Sequence, residues 1–428
     1  MCFARSRWQS AVTFCSLLVA SSTAFALQVD GDVGIDSRYS DNAAFTPSNQ
    51  REDLITTASI GGSVSEDQGS LTGRASASLR NLYYLDNTFD DQTYLDINAN
   101  ADWEQVSNVL RWSVSDYYNQ YSIDNLAADT PSNTEDINAF NLAATLTLRP
   151  ADRHTVSITP SVSDYYYDTS SSDNQQKGIG AGWSYQFRPT ISVSLGGSYR
   201  DVSYDEDTQN DHTNTSVSVA AAVMRVRTEY RASIGKTKVN GNAGNDTDGL
   251  NANLDVMYRL SNRSTMNARV STDITDTSAI YLGSSVDPNT GNFGNIQISN
   301  DVLRNSVFRV SYDRPGTTVN FSGWVELRDL DYKITNNDRR LQEYGARLGY
   351  QLTPRMSASV GGSYIWTRLE NPVQTDKYYN LDGNMGYVLS RKLTARAGVQ
   401  YQSRDSADPL QGFDVYSISA GLGYRLGR

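Results

Sequence analysis

Cysteine is nearly absent from this chain. Of 428 residues only Cys2 and Cys15 are cysteines, and both fall within the first 26. Histidine is as scarce, at His154 and His212. A thiolate or polyhistidine metal centre therefore has too few ligands to form, and the chain after residue 26 has no thiol from which to build a disulfide framework. Long apolar runs are missing as well. Nothing reaches the roughly 20 consecutive apolar residues of a membrane-spanning helix, and beyond residue 26 no helical periodicity is visible. Apolar residues make up 38% of the chain and mean hydropathy is −0.51. Soluble globular chains run nearer to about half apolar, so a large multi-domain soluble core is excluded.

What is present argues against disorder. Aromatic residues reach 10%, with 27 Tyr, and there are 31 Gly; a chain that stays unfolded is poor in aromatics. Residues 1–26 read as a secretory leader: Arg5 and Arg7 precede an apolar stretch from Ala11 to Ala20, and Ala24-Phe25-Ala26 supplies the small residues of a cleavage site. Cleavage is expected after Ala26, leaving a single domain over residues 27–428. Both cysteines leave with the leader, as suits an oxidising compartment. Loss of Arg5 and Arg7 leaves 35 Lys+Arg against 48 Asp+Glu, a net charge of −13. Nucleic acid is no partner for so acidic a chain.

From Leu27 onward one unit recurs: about ten residues of strict alternation, a tight turn, ten more, then a polar loop. Leu71, Gly73, Ala75, Ala77 and Leu79 share one face, opposite Thr72, Arg74, Ser76, Ser78 and Arg80. Met266, Ala268 and Val270 oppose Asn267, Arg269 and Ser271 in the same way. Period-two alternation of this kind is the mark of strands with one apolar and one wet face. Nine short turns are predicted, near 66–69, 105–108, 150–153, 188–190, 224–225, 261–263, 313–316, 353–355 and 390–392. Longer segments such as 125–135, 168–176, 201–211, 241–249 and 282–295 alternate with them. The sorting of short turns and long loops to opposite ends predicts a transmembrane antiparallel up-and-down β-barrel of the outer membrane. About 20 strands are expected, with 18 as the alternative; the short link Met224-Arg225 is the weakest point of the count. Twenty tilted strands about 4.8 Å apart enclose a backbone diameter of about 40 Å, too wide for side chains to fill.

Aromatic placement fits two interfacial belts. Trp103, Trp112, Trp183, Tyr258, Tyr350 and Tyr387 lie near short turns, and Trp366 near the opposite end. The wet face carries Arg74, Arg80, Arg111, Arg200, Arg231, Arg259, Arg269, Arg309, Arg328, Arg347 and Arg396, expected to line the lumen and the path of a substrate. Guanidinium groups among Asn, Gln, Ser and Tyr suit polyanionic or sugar-like solutes. Facing carboxylates such as Asp96, Asp102, Glu104, Asp255 and Glu326 allow the alternative that the two signs pair to rigidify the wall. The loops hold most of the excess acid. Segments 201–211 and 244–249 could hold calcium, but read more simply as solvated turns. His212 beside Asp211 is the one candidate for a rim hydrolase, and a solvated loop histidine is the favoured reading. No cofactor, metal or enzyme activity is expected.

The opening stretch Val33-Gly-Ile-Asp-Ser-Arg-Tyr-Ser-Asp-Asn-Ala-Ala-Phe-Thr-Pro47, followed by Arg51-Glu-Asp-Leu-Ile-Thr-Thr-Ala-Ser-Ile-Gly-Gly-Ser63, resembles the start of the beta-barrel porin 2 proteins of exopolysaccharide and capsule loci. The resemblance implies an outer-membrane channel assisting export of an exopolysaccharide or capsular polysaccharide. It also implies a periplasmic polysaccharide-export protein as partner, together with outer-membrane lipid, lipopolysaccharide and the barrel assembly machinery. Two features depart from the family's pattern: the chain ends Tyr424-Arg-Leu-Gly-Arg428 rather than on an aromatic residue, and 20 strands are counted where 18 are usual. A general or anion- and sugar-selective diffusion porin, or an adhesive surface protein working through its acidic loops, are the competing expectations.

Overall fold

A computed structural model describes residues 27–124, 128, 130–206, 208–242, 246–278, 301–335, 337–371 and 373–427. The expected leader, 1–26, and the loop segment 282–295 lie outside them. Among the described residues, twenty antiparallel strands form the architecture, with two short 3-10 turns in the loops. The first five are β1 (Gln28–Ser40), β2 (Asp53–Glu66), β3 (Leu71–Tyr84), β4 (Gln92–Val106) and β5 (Leu110–Ser122). Next come β6 (Thr134–Ala151), β7 (His154–Tyr167), β8 (Asn174–Arg188), β9 (Ile191–Tyr204) and β10 (His212–Met224). The third quarter holds β11 (Thr228–Gly241), β12 (Thr247–Ser261), β13 (Ser264–Asp276), β14 (Val302–Arg314) and β15 (Val319–Tyr332). The last are β16 (Arg339–Thr353), β17 (Met356–Glu370), β18 (Val373–Val388), β19 (Leu393–Ser406) and β20 (Phe413–Arg425). Each strand pairs with the next, and β1 pairs with β20 from Asp32↔Arg425 to Ser40↔Ser417, closing the barrel. The hairpin joined at 225–227 is present, and the count is 20, not 18.

All nine short turns fall where expected. Left-handed backbone is needed at Gly69 (φ 86°) and Asn108 (φ 58°), which the two residue types tolerate best. Several strands run further into the long-loop end than the alternation marks. Residues 134–135, 174–176, 201–204 and 247–249, expected in loops, are paired. Above a bilayer both faces of a strand can be polar, so alternation lapses while the ladder continues. The long-loop end has one exception to its name: β17 and β18 are joined by residues 371–372 alone.

The two faces separate cleanly. Val33, Ile60, Leu79, Val162, Leu254, Phe308, Leu348 and Ile418 belong to one set of alternating positions, which points out of the barrel. The other set points inward and is polar over most of its height. Apolar burial is concentrated at the long-loop end, mostly on the inward face. Leu303, Leu330, Tyr332 and Leu341 form one cluster there, and Ile137, Ala139, Tyr165 and Tyr167 another.

Candidate functional site

The inner wall is organised by register. Cross-strand partners share a face, so Arg231↔Asp255, Asp255↔Arg269, Arg269↔Arg309, Arg309↔Glu326 and Glu326↔Glu343 form a lateral row of charge over β11–β16. Within it Arg269 Nε donates to Asp255 at 2.6 Å. Glu326 is buried and accepts from Arg309 at 2.9 Å and from Arg328 at 2.7 Å. Arg231 pairs with Glu229 on its own strand. Trp324 Nε1 donates to Glu343 at 2.7 Å, with its indole lying across Gly345, where a Cβ would run into the ring.

Beyond β16 a second device appears. Arg347 on β16, Gly361 on β17 and Asp382 on β18 are in register, and the guanidinium crosses over the glycine to meet the carboxylate at 2.8 and 2.9 Å. Arg396 on β19, Gly421 on β20 and Asp36 on β1 repeat the arrangement, with the ion pair at 3.3 Å. A Cβ at Gly361 would stand 2.9 Å from both Arg347 Cζ and Asp382 Oδ1. Glycine lets each pair lie flat on the wall.

Elsewhere Arg80 pairs with Asp96, Arg111 with Glu104 and Arg200 with Asp276. Of the eleven arginines expected on this face, nine thus stand in ion pairs. Arg74 and Arg259 occupy the same face without an ion pair among the described residues. The pairing of opposite signs, raised as the alternative for this face, is what nine of these arginines show. Two recesses of about 430 and 250 Å³ lie along β15–β20 and β1 and share Asn384 and Ser419. Arg38 on β1 lines the upper one. Its alternation is hidden in sequence, because in Ser37-Arg38-Tyr39-Ser40 both faces of the strand are polar.

At the long-loop end two hairpins leave the wall and lean inward. Pairing of β12 with β13 stops at Ala252↔Thr272, above which β13 pairs only with β14. Ile274 and Val302, on the side that faces out lower down, pack instead against inward-facing Val239 of β11. Gly249 makes room, since a Cβ there would stand 2.9 Å from Ile274 Cδ1. The tip is tied across the mouth. Gln176 of β8 and Arg200 of β9 reach Asp276 at 3.1 and 3.4 Å, and Tyr167 and Asn174 bond the Ser278 hydroxyl. Similarly, β4–β5 pairing ends at Ile97↔Tyr118, and Gln120 of β5 donates to the Leu95 carbonyl and to Asp136.

The loop carboxylates serve as backbone acceptors. Asp53 accepts the N–H groups of Asp86 and Thr88, Glu135 those of Thr169 and Ser170, and Asp301 those of Ile334 and Thr335. Asp91, Asp173, Asp211 and Asp338 each accept from the tyrosine ending the preceding strand: Tyr84, Tyr167, Tyr204 and Tyr332. Burial alone would raise the Asp53 carboxyl, but the donated N–H bonds prevail and hold it below its ordinary range. Asp246 accepts from Gly241 and Asp248 pairs with Lys236, and among the described residues no His/Cys/Asp/Glu group is arranged to hold a metal. His212, expected in solvent, is buried beside Tyr204, with Nδ1 2.9 Å from the Asn210 carbonyl. Asp211 is turned to the Tyr204 N–H instead, so no His–Asp pair forms.

On the outer face Trp103, Trp112, Trp183, Tyr258, Tyr350 and Tyr387 are exposed near the short turns, with Trp103 and Trp112 in direct register. Trp366 lies at the other end, near Tyr364, which stacks on Tyr344 and meets Tyr379 at a tilt.

Residues 339–426 match the family model described as putative beta-barrel porin 2. This porin-type match covers β16–β20, which carry both bridging glycines and every partner of the two pairs except Asp36 on β1. It falls away from residues 33–63, which form β1, its following loop and most of β2. No curated protein matches the chain in sequence. Among solved structures, the barrel is similar to the ferric enterobactin receptor of Pseudomonas aeruginosa (TM-score 0.52, 8% identity, 94% of this chain and 81% of that one). The siderophore receptor PirA of Acinetobacter baumannii gives 0.51 at 9% identity, again over 94% and 81%. The ferric citrate transporter FecA gives 0.50 at 8%, over 94% and 79%. At such identities the likeness is one of fold alone: a large closed antiparallel β-barrel.

Proposed function

We propose that this barrel is a channel assisting export of an exopolysaccharide or capsular polysaccharide across the outer membrane. The observation that carries the reading is the inner wall. It is polar along most of its height, but its charges are matched and in places laid flat over glycine. A hydroxyl-rich chain can exchange hydrogen bonds with such a wall without being held by strong isolated charges. The inward-leaning hairpins and buried apolar clusters narrow the outer mouth, which favours a selective conduit over a general diffusion pore. Lipid and lipopolysaccharide would meet the outer apolar band, with the tryptophans and tyrosines at its two edges. A periplasmic export protein would meet the short turns, and the assembly machinery would insert a chain whose leader is cleaved after Ala26.

Deletion of the gene in a polymer-secreting host tests the reading. Polymer should accumulate in the periplasm and return to the medium on complementation. Undiminished secretion would rule out a role in export. N-terminal sequencing of the membrane form should begin at Leu27.

A further inference from the structure

We infer that Arg38 reads an anionic group on the passing polymer, so that the chain moving along the β15–β1 groove is an acidic saccharide carrying carboxylates on its sugar units. This rests on the export reading above and names its substrate class. Arg38 faces inward at the upper end of the groove, half-buried, and lines the same recess as Arg347, Asn380 and Asp382. Unlike nine other arginines of this wall, it forms no ion pair among the described residues.

The carboxylate that lines the recess with it, Asp382, is already committed. Both oxygens of Asp382 accept from Arg347, and one accepts Asn384 Nδ2 as well. Asp36, two residues before Arg38 on β1, is held by Arg396. A guanidinium withdrawn from water without a counter-charge is costly, and an incoming anion restores the balance. Its planar fork suits a carboxylate in particular.

The rest of the groove suits the sugar. From Gly386 through Asn384 and Asp382 to Asn380, β18 supplies a polar track of about 20 Å at about 3.3 Å per residue. Gln400 Nε2 donates to Asn380 Oδ1 at 2.9 Å, leaving the Asn380 amine and the Gln400 carbonyl to face a ligand. A side-by-side donor and acceptor complements the hydroxyls of a sugar ring. The paired charges give the track its hydration, and Arg38 adds at its end a charge without an ion pair among the described residues.

The test is channel block by purified full-length barrel in planar bilayers, with oligogalacturonate and a malto-oligosaccharide of equal length as probes. In the wild type, oligogalacturonate should block at a concentration about tenfold lower than the neutral chain, as one charge-assisted contact permits. R38Q should erase the difference, and R38K should retain part of it. R38Q should also melt no lower than wild type, because it removes an uncompensated charge. Equal block by the two probes, block unchanged in R38Q, or block reproduced by inorganic phosphate at matched charge would each overturn the inference. Lowered stability of R38Q would do the same by making Arg38 structural. The export reading stands or falls separately on the secretion phenotype.

Discussion

Arg347 and Asp382 lie two strands apart, and their guanidinium and carboxylate meet fork to fork directly over Gly361. The contact needs a missing side chain on the strand between. Arg396 and Asp36 meet over Gly421 by the same rule, across the seam that closes the barrel.

Gly361→Val should therefore lift the Arg347–Asp382 pair into the lumen. A barrel destabilised by about 1–3 kcal/mol, the usual range for overpacking, is expected from urea titration followed by gel mobility. Arg347→Leu with Asp382→Leu, by contrast, should leave stability little changed, since well-packed apolar residues commonly replace an ion pair without loss. A large loss in the double variant would mean the pair is worth more than its packing.

Glu326 balances two arginines at once. Glu326→Gln should cost at most about 3 kcal/mol, reduced from the fully buried case because water reaches Arg309 from the lumen. It should also shift the channel toward anions. The reversal potential in a KCl gradient reports the shift, and an unchanged potential would place the row away from the conducting path.

Asp53 ties the 85–91 loop to the rim. Its folded pKa is depressed, so the stabilisation is complete above the ordinary carboxylate range and is lost as pH falls through the folded value. Corrected for the intrinsic pH dependence of exchange, protection of the Asp86 and Thr88 amides should be high at neutral pH and fall in strong acid. Asp53→Asn should show the lower protection already at neutral pH.

The inward lean of β13–β14 depends on Asp276, which takes Gln176 and Arg200 together. Asp276→Ala should raise single-channel conductance or its fluctuation. A conductance indistinguishable from wild type would show that this tip does not limit flow.

Much of this fold is legible in the sequence because a barrel strand has only two faces. Leu71–Leu79 and Met266–Asp273 alternate without error, and turn chemistry fixes all nine short connections. The candidate site is legible only in part. Alternation places Arg347 and Asp382 on one face, but the register that sets Gly361 between them is a property of three strands together. Ile274 and Val302 obey the outward pattern and look like lipid-facing residues. Only the loss of β12–β13 pairing above Thr272 turns them inward. His212 reads as solvated for a related reason: its neighbours are polar, yet they are folded over it.

The seam between β1 and β20 joins residues at opposite ends of the chain, Asp32 to Arg425. Until the last strand is made, the first offers a row of unsatisfied amide groups to any other strand it meets. Contacts so distant in sequence form slowly. Before closure the nascent sheet is consequently a sticky open ribbon with two live borders, open to mispairing until they are zipped together.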